Sequence, residues 1–238
     1  MALYSSFVEA DGTAVDYQGI EKSPQFADFE KATKMLHFVD LEKMDEVARK
    51  VFFINLYNTA IIHGRVRHKE PNNMLTRLKF FSEVGYKIGG FWFSLNDMEH
   101  GILRSNGVNP ATGSLQWSSS DPRLSFAVPL DPRIHFALVC GAKSCPPIRI
   151  YTEVNYESAL QLASLNFIQN SVQVEDKKVT LSMIMKWYAP DFGGDSKRVL
   201  EFVVPFLENE RAEKVKQLIQ DGTFKITYAP YDWASNSL

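Results

Sequence analysis

Apolar and polar positions divide the chain into helix-spaced and strand-spaced stretches. The longest periodic stretch, LEKMDEVARKVFFINLYNTAIIHGRV from Leu41 to Val66, is apolar on nearly every side at its centre, which predicts a buried central helix. Before it, a short extended piece is expected around Ala14 to Tyr17, and Ser23-Pro24 supplies the cap and first-turn proline of a helix reaching about Leu36. After Glu70-Pro71, Met74 to Phe81 is helix-spaced. The spacing then shifts to that of strands in YKIGGFWFSL, with Gly89-Gly90 as a two-residue hairpin turn. Ser94 is placed to cap the next helix, LNDMEHGILR, and residues 105–130 predict a long loop with one strand at Ser125 to Val128.

The run from Arg133 to Cys140, between Asp131-Pro132 and Gly141, predicts a buried strand. Alternation would put Ile134, Phe136, Leu138 and Cys140 on one face and His135, Ala137 and Val139 on the other. Gly141 permits backbone angles that other residues avoid, and Pro146 biases Cys145 toward extended geometry, so a thiol is expected on a stiff loop at a strand end. Downstream, Tyr156 to Gln169 is helix-spaced, VQVEDKKVTLS reads as a hairpin turning at Asp176-Lys177, and MIMKWYAPDFGGD as a short helix ended by Pro190 and Gly193-Gly194. Two more helices, Ser196 to Leu207 and Glu208 to Gln220, precede a last strand and an aromatic tail, FKITYAPYDWASNSL, expected to fold back. This mixed order without a βαβ rhythm predicts one α+β domain over 1–238, its helices packed around a small, mostly antiparallel sheet.

Composition narrows the function classes. A chain of 238 residues that is 45% hydrophobic can bury a sizeable core. Its 26 basic and 28 acidic residues leave a net charge of −2, which gives no bulk attraction to nucleic acid or to an anionic membrane. MALYSSFVEADG lacks the pattern of a signal peptide, no run approaches the roughly 18 apolar residues of a membrane helix, and two cysteines do not make a disulfide framework, so a cytoplasmic setting is expected. Gly-rich phosphate loops, Gly-x-Ser-x-Gly and HExxH are all absent from the sequence. The CxxxxC spacing is not the CxxC of thioredoxin-like enzymes, and a zinc site from His135, Cys140 and Cys145 would need a distant fourth ligand; no metal or cofactor is expected.

Thiol chemistry remains. Cys140 reads as a small buried apolar residue, whereas Cys145 lies outside the expected strand and is the nucleophile candidate. A nucleophilic cysteine needs an imidazole or a positive field to lower its pKa. Of the five histidines, His37 and His68 fall at helix ends among charged neighbours, and His135 would start the strand about 16 Å from Cys140, in a supporting position. His100, one turn from Arg104 and beside Glu99, is the first choice for the base. Asn55, Asn58 and His63 interrupt the most apolar part of the central helix, so they either bond to neighbouring segments or line a cavity. In the second case Asn58 or Asn55 would orient the imidazole or donate to an oxyanion alongside the Cys145 N–H, with Glu99 as the alternative orienting group.

Five segments, FFINLYNTAIIH (52–63), YKIGG (86–90), LNDMEHGILR (95–104), DPRIHFALVCGAKSCPP (131–147) and WYAPDFG (187–193), closely resemble the domain of unknown function 547 family over roughly residues 40–195. The resemblance implies that Asn58, His63, Glu99, His100, Arg104, His135, Cys140, Cys145 and Pro146 occupy family motif positions. It further implies a relation to papain-like or transglutaminase-like thiol enzymes, and a domain often fused to DEP and glutaredoxin modules in animals and protists. Residues and resemblance together lead us to expect a cysteine-dependent hydrolase or acyl transferase acting on an amide, isopeptide or thioester bond of a peptide or protein. A noncatalytic peptide-binding module and a thiol redox role are the alternatives.

Overall fold

In a computed structural model, which describes residues 6–68 and 71–238, two short helices open the chain, α1 (Tyr17–Lys22) and α2 (Pro24–Thr33). Tyr17 is therefore helical rather than extended; the Asp16 side chain accepts the Gly19 N–H and starts the helix there. The central helix α3 (Glu46–Arg67) follows a 3₁₀ turn, and the Asp45 side chain caps it by accepting the Ala48 N–H at 2.8 Å. Phe53, Ile54, Tyr57, Ala60 and Ile61 are buried on several of its faces, as its apolar centre requires.

Helix α4 (Met74–Glu83) leads into the hairpin of β1 (Gly85–Ile88) and β2 (Phe91–Ser94). Gly89 and Gly90 both have positive φ, 55° and 90°, as a type I′ turn demands. The Ser94 hydroxyl accepts the Asp97 N–H and Asp97 accepts the Ser94 N–H, a reciprocal cap. The helix that it opens is of π type, Asp97–Leu103, with the Arg104 N–H donating to the Glu99 carbonyl. A minimal hairpin, β3 (Val108–Asn109) and β4 (Ser114–Leu115), interrupts the long loop. Then come α5 (Tyr156–Ser171), β5 (Gln173–Glu175), β6 (Lys178–Leu181), α6 (Met183–Trp187), α7 (Ser196–Val203), α8 (Asn209–Asp221) and β7 (Lys225–Tyr228). Strand β7 pairs parallel to β6, while the other ladders are antiparallel. The fold is α+β, with its strands divided among three small sheets and α3 at the centre. Among the described residues no helix is long and apolar enough to cross a membrane.

Two expected strands are 3₁₀ turns instead, Pro122–Phe126 where Ser125 to Val128 should have extended, and Pro132–Phe136 in place of the strand from Arg133 to Cys140. Both turns begin with Asp-Pro. Asp121 and Asp131 accept the N–H of Arg123 and Arg133, and the proline ring pre-sets the first turn, so local capping decides the conformation. The apolar run recorded burial, not extension: every residue from Ile134 to Val139 is buried, with no solvent-facing side to alternate.

That buried segment joins the molecule together. Ile134, Ala137 and Leu138 pack into the cluster around α3, Phe136 into a second cluster with Ile168, Val179 and Leu200, and Val139 into a third with Val15, Ile20 and Ile62. The C-terminal tail folds back across the loop that follows. Lys143 N–H donates to Ala234, Ser144 N–H to Asp232 and Asn236 N–H to Gly141, all through backbone carbonyls.

Candidate active site

The central helix holds the thiol-bearing segment through two asparagines. Asn58 donates to the Ala137 carbonyl at 2.9 Å and accepts the Val139 N–H at 3.0 Å; Asn55 does the same for Tyr151, at 2.7 and 3.0 Å. Each amide supplies what a neighbouring strand would have given an extended chain. Each amide is committed to backbone in this way and neither residue lines the cavity that holds the thiols, which corrects the expectation that Asn55 or Asn58 orients an imidazole or donates to an oxyanion. His63 is also elsewhere: its ring nitrogens are bonded to Tyr86 and Glu30, and Phe26 and Phe29 pack edge-on against it. His37 and His68 are exposed.

Past Val139 the chain turns sharply. Gly141 has φ +79°, and a Cβ there would lie 2.1 Å from Arg65 Nε, so only glycine fits the turn that folds Cys145 back onto Cys140. The two sulfurs are 2.6 Å apart, the Cys140 N–H donates to Cys145 Sγ at 3.1 Å, and the Tyr231 hydroxyl lies 3.3 Å from Cys145 Sγ and 3.4 Å from Cys140 Sγ. Cys140 is half-buried like Cys145, not sealed in the core as its position in an apolar run suggested. Burial raises the Cys145 pKa, but hydrogen bonds from the Cys140 thiol, the Tyr231 hydroxyl and backbone N–H groups outweigh it and hold the thiol down at about 6. Cys140, whose proton serves its neighbour and whose thiolate would be poorly solvated beside it, is pushed well above the ordinary thiol range.

The π-helix and the segment before the cysteines supply the other polar groups. Arg104 makes a bidentate pair with Asp191, Nε to Oδ2 at 2.6 Å and Nη2 to Oδ1 at 2.9 Å, and its Nη1 donates to His100 Nδ1 at 2.9 Å. His135 Nε2 lies 2.7 Å from Asp191 Oδ2. Burial opposes ionisation of Asp191, yet His135 and Arg104 together hold its pKa at about 2. Partner chemistry then fixes both tautomers. A guanidinium can only donate, so His100 accepts at Nδ1 and carries its proton on Nε2; a carboxylate can only accept, so His135 donates from Nε2 and keeps Nδ1 as its lone-pair nitrogen. Burial lowers the pKa of both rings, and both are neutral near pH 7. Glu99 accepts from Tyr57 at 2.9 Å and from Tyr188 at 2.5 Å; burial opposes its charge, but His100 and the Tyr188 hydroxyl keep its pKa below the usual carboxylate range.

These groups meet in one cavity of about 350 Å³, onto which Cys140, Cys145, Glu99, His100 and His135 all open. Aromatic rings from Tyr57, Trp187, Tyr188, Tyr231 and Trp233 form much of the remaining wall. His135 and Cys140 thus share a cavity instead of facing apart, because the 3₁₀ turn breaks the alternation expected of a strand. Among the described residues no imidazole hydrogen-bonds either sulfur, and no group of three or more His, Cys, Asp and Glu side chains is arranged to hold a metal ion.

A family model described as protein of unknown function, DUF547, matches residues 41–168, a little over half of the chain. The chain belongs to the DUF547 family. No curated protein and no solved structure matches it. The DUF547 match contains both cysteines, His100, His135, Glu99 and Arg104, but ends before Tyr188, Asp191 and Tyr231, which complete their hydrogen bonds. None of those three residues was a site candidate from the sequence, although Tyr188 and Asp191 lie in the WYAPDFG segment. Asp191 gave a signal, a lone acid between Pro190 and Gly193-Gly194, whereas Tyr231 was one aromatic among several in a tail with no periodicity.

Proposed function

We propose that this DUF547 protein is a cysteine-dependent acyl transfer enzyme, a hydrolase or transferase, with Cys145 as nucleophile. The supporting observation is that a thiol surrounded by hydrogen-bond donors that lower its pKa shares its cavity with a histidine whose Nε2 is anchored on Asp191 and whose Nδ1 is a lone-pair nitrogen. Of the amide, isopeptide and thioester bonds considered, the thioester suits best. The thiolate is stabilised without an imidazolium, so no stored acid stands ready for an amine leaving group, whereas a thiolate leaves without a proton.

In the proposed cycle, Cys145 Sγ adds to the acyl carbon and the carbon–sulfur bond of the substrate breaks, its electron pair leaving with the substrate thiolate. Water or an acceptor amine then attacks the acyl-enzyme, passing a proton to His135 Nδ1, and the Cys145 electron pair returns to sulfur. His100, which donates from Nε2, is cast as an oxyanion donor rather than as the base first expected. Glu99 fixes Tyr57 and Tyr188 in the aromatic wall instead of orienting a ring. A peptide or protein acyl group and a reducing, cytoplasmic setting belong to this reading, as does a remote papain-like ancestry.

The test uses aryl thioesters of short acylated peptides with intact-mass detection. An acyl adduct on Cys145 should form and turn over, and His135→Gln should let it accumulate, slowing its release by about 10²–10⁴-fold. No adduct, or one of equal yield with Cys145→Ala, overturns the reading.

A further inference from the structure

A nucleophile for acyl transfer needs no second sulfur, yet Cys145 has one at 2.6 Å. That separation is far inside ordinary sulfur–sulfur contact and little beyond the bonded distance of about 2.05 Å. The five-step spacing closes because of the turn. The Cys145 N–H donates to the Ala142 carbonyl at 3.0 Å, Arg65 ties the Cys140 carbonyl to the Ser235 hydroxyl, and the tail braces residues 141–144 from outside. Both sulfurs also open to the cavity, unlike those of a disulfide sealed in a core. The Tyr231 hydroxyl, within 3.4 Å of each, can follow negative charge from one sulfur to the other.

We propose that Cys145 and Cys140 work as a dithiol that reduces a small or peptide disulfide, Cys145 attacking and Cys140 resolving. This goes beyond acyl transfer, because it uses the same thiolate but neither histidine. Cys145 Sγ attacks one sulfur of the substrate, forming a mixed disulfide and expelling the other sulfur as a thiolate. That thiolate takes the Cys140 proton, and the Cys140 sulfur then displaces the second substrate thiolate to close a Cys140–Cys145 disulfide. Two electrons pass from protein to substrate, and one disulfide becomes a thiol and a thiolate. The unequal acidity of the pair suits these roles, since an attacking thiol works best with a pKa near ambient pH. Two equivalents of a more reducing thiol, or one dithiol, restore the reduced pair through the same exchange and leave as a disulfide.

Glutathione disulfide is the probe, added to the reduced full-length chain at pH 7, with released thiol and intact mass followed together. Wild type should release two thiol equivalents and end lighter by two hydrogens with no retained adduct. Cys140→Ala should stop at one equivalent with a glutathionyl group on Cys145, and Cys140→Ser, which keeps a donor beside that sulfur, should do the same if the alanine variant unfolds. Retention of the mixed disulfide by wild type, or two equivalents from either Cys140 variant, overturns the proposal. Acyl turnover is read on a different substrate, so either activity can fail while the other stands.

Discussion

His63 and His135 each carry a carboxylate on Nε2, Glu30 for the first and Asp191 for the second, and each carboxylate also holds an arginine, Arg67 and Arg104. Each ring lies among aromatics: Phe26 and Phe29 stand edge-on to His63, and Tyr188 stacks on His135 with centroids 3.9 Å apart. The two triads differ at the other ring nitrogen. In His63, Nδ1 is engaged by the Tyr86 hydroxyl at 2.9 Å; in His135, Nδ1 has no hydrogen-bond partner among the described residues. Their surroundings differ too, since the Arg67 side chain is 44% exposed and that of Arg104 is 3% exposed. A histidine–carboxylate pair is thus tethered at both ends when both nitrogens are engaged, as in His63, and keeps one nitrogen without a hydrogen bond in His135.

The largest test of that contrast removes the carboxylates. Asp191→Ala would leave the Arg104 guanidinium buried without its partner and release His135, at an expected cost of about 3–5 kcal/mol in urea unfolding. Glu30→Ala releases groups that water can serve and should cost a small fraction of that. Equal losses would mean that burial does not separate the two triads.

The next test separates them by chemistry. Cys140→Ala removes the thiol that donates to Cys145, so the pH midpoint of iodoacetamide labelling should rise from about 6 toward the ordinary thiol value. Complete reversion to about 8.5 would cut the thiolate fraction at pH 6.5 roughly 80-fold. The backbone N–H and Tyr231 still donate, so the observed drop should be smaller. His63→Gln should leave the labelling rate unchanged, and a comparable shift in that variant would tie the two regions together.

The contrast also explains what the residues could announce in advance. Helix α3, the Gly89-Gly90 hairpin, the Asp176-Lys177 hairpin and the α+β class follow from periodicity and turn chemistry, which are local. The thiol segment did not, because a fully buried run has no exposed side to set a period, and Asp131-Pro132 carried a capping signal that its apolar content masked. Cys145, His100 and His135 were visible as chemistry, but their assembly depends on Asp191, which lies in the WYAPDFG segment, and on Tyr231, 46 and 86 residues beyond Cys145, whose approach to the thiols no spacing announces. Asn58 misled for a related reason. A polar residue in an apolar helix marks a buried hydrogen bond, and only the structure says whether its partner is backbone or substrate.

The smallest effect isolates the histidines by pH. Burial lowers the pKa of His135 in the fold, against about 6.5 in the unfolded chain, so the neutral ring is the stabilised form. Its contribution is complete above pH 6.5 and is lost as the pH falls below it, where the unfolded chain binds the proton that the fold resists. Asp191 and Glu30, both held at about 2 in the fold, are ionised throughout pH 5–7 and nearly so in the unfolded chain, and add little to the slope there. Urea unfolding of wild type should therefore show stability falling as the pH is taken from 7 to 5. His135→Asn should flatten that slope whatever its baseline stability. Burial lowers His63 as well, but that ring is partly exposed, so His63→Asn should flatten the slope less. Identical slopes in all three proteins would mean that the cavity imidazole titrates as freely in the fold as outside it, and His135 would lose its standing as the neutral base beside the thiolate.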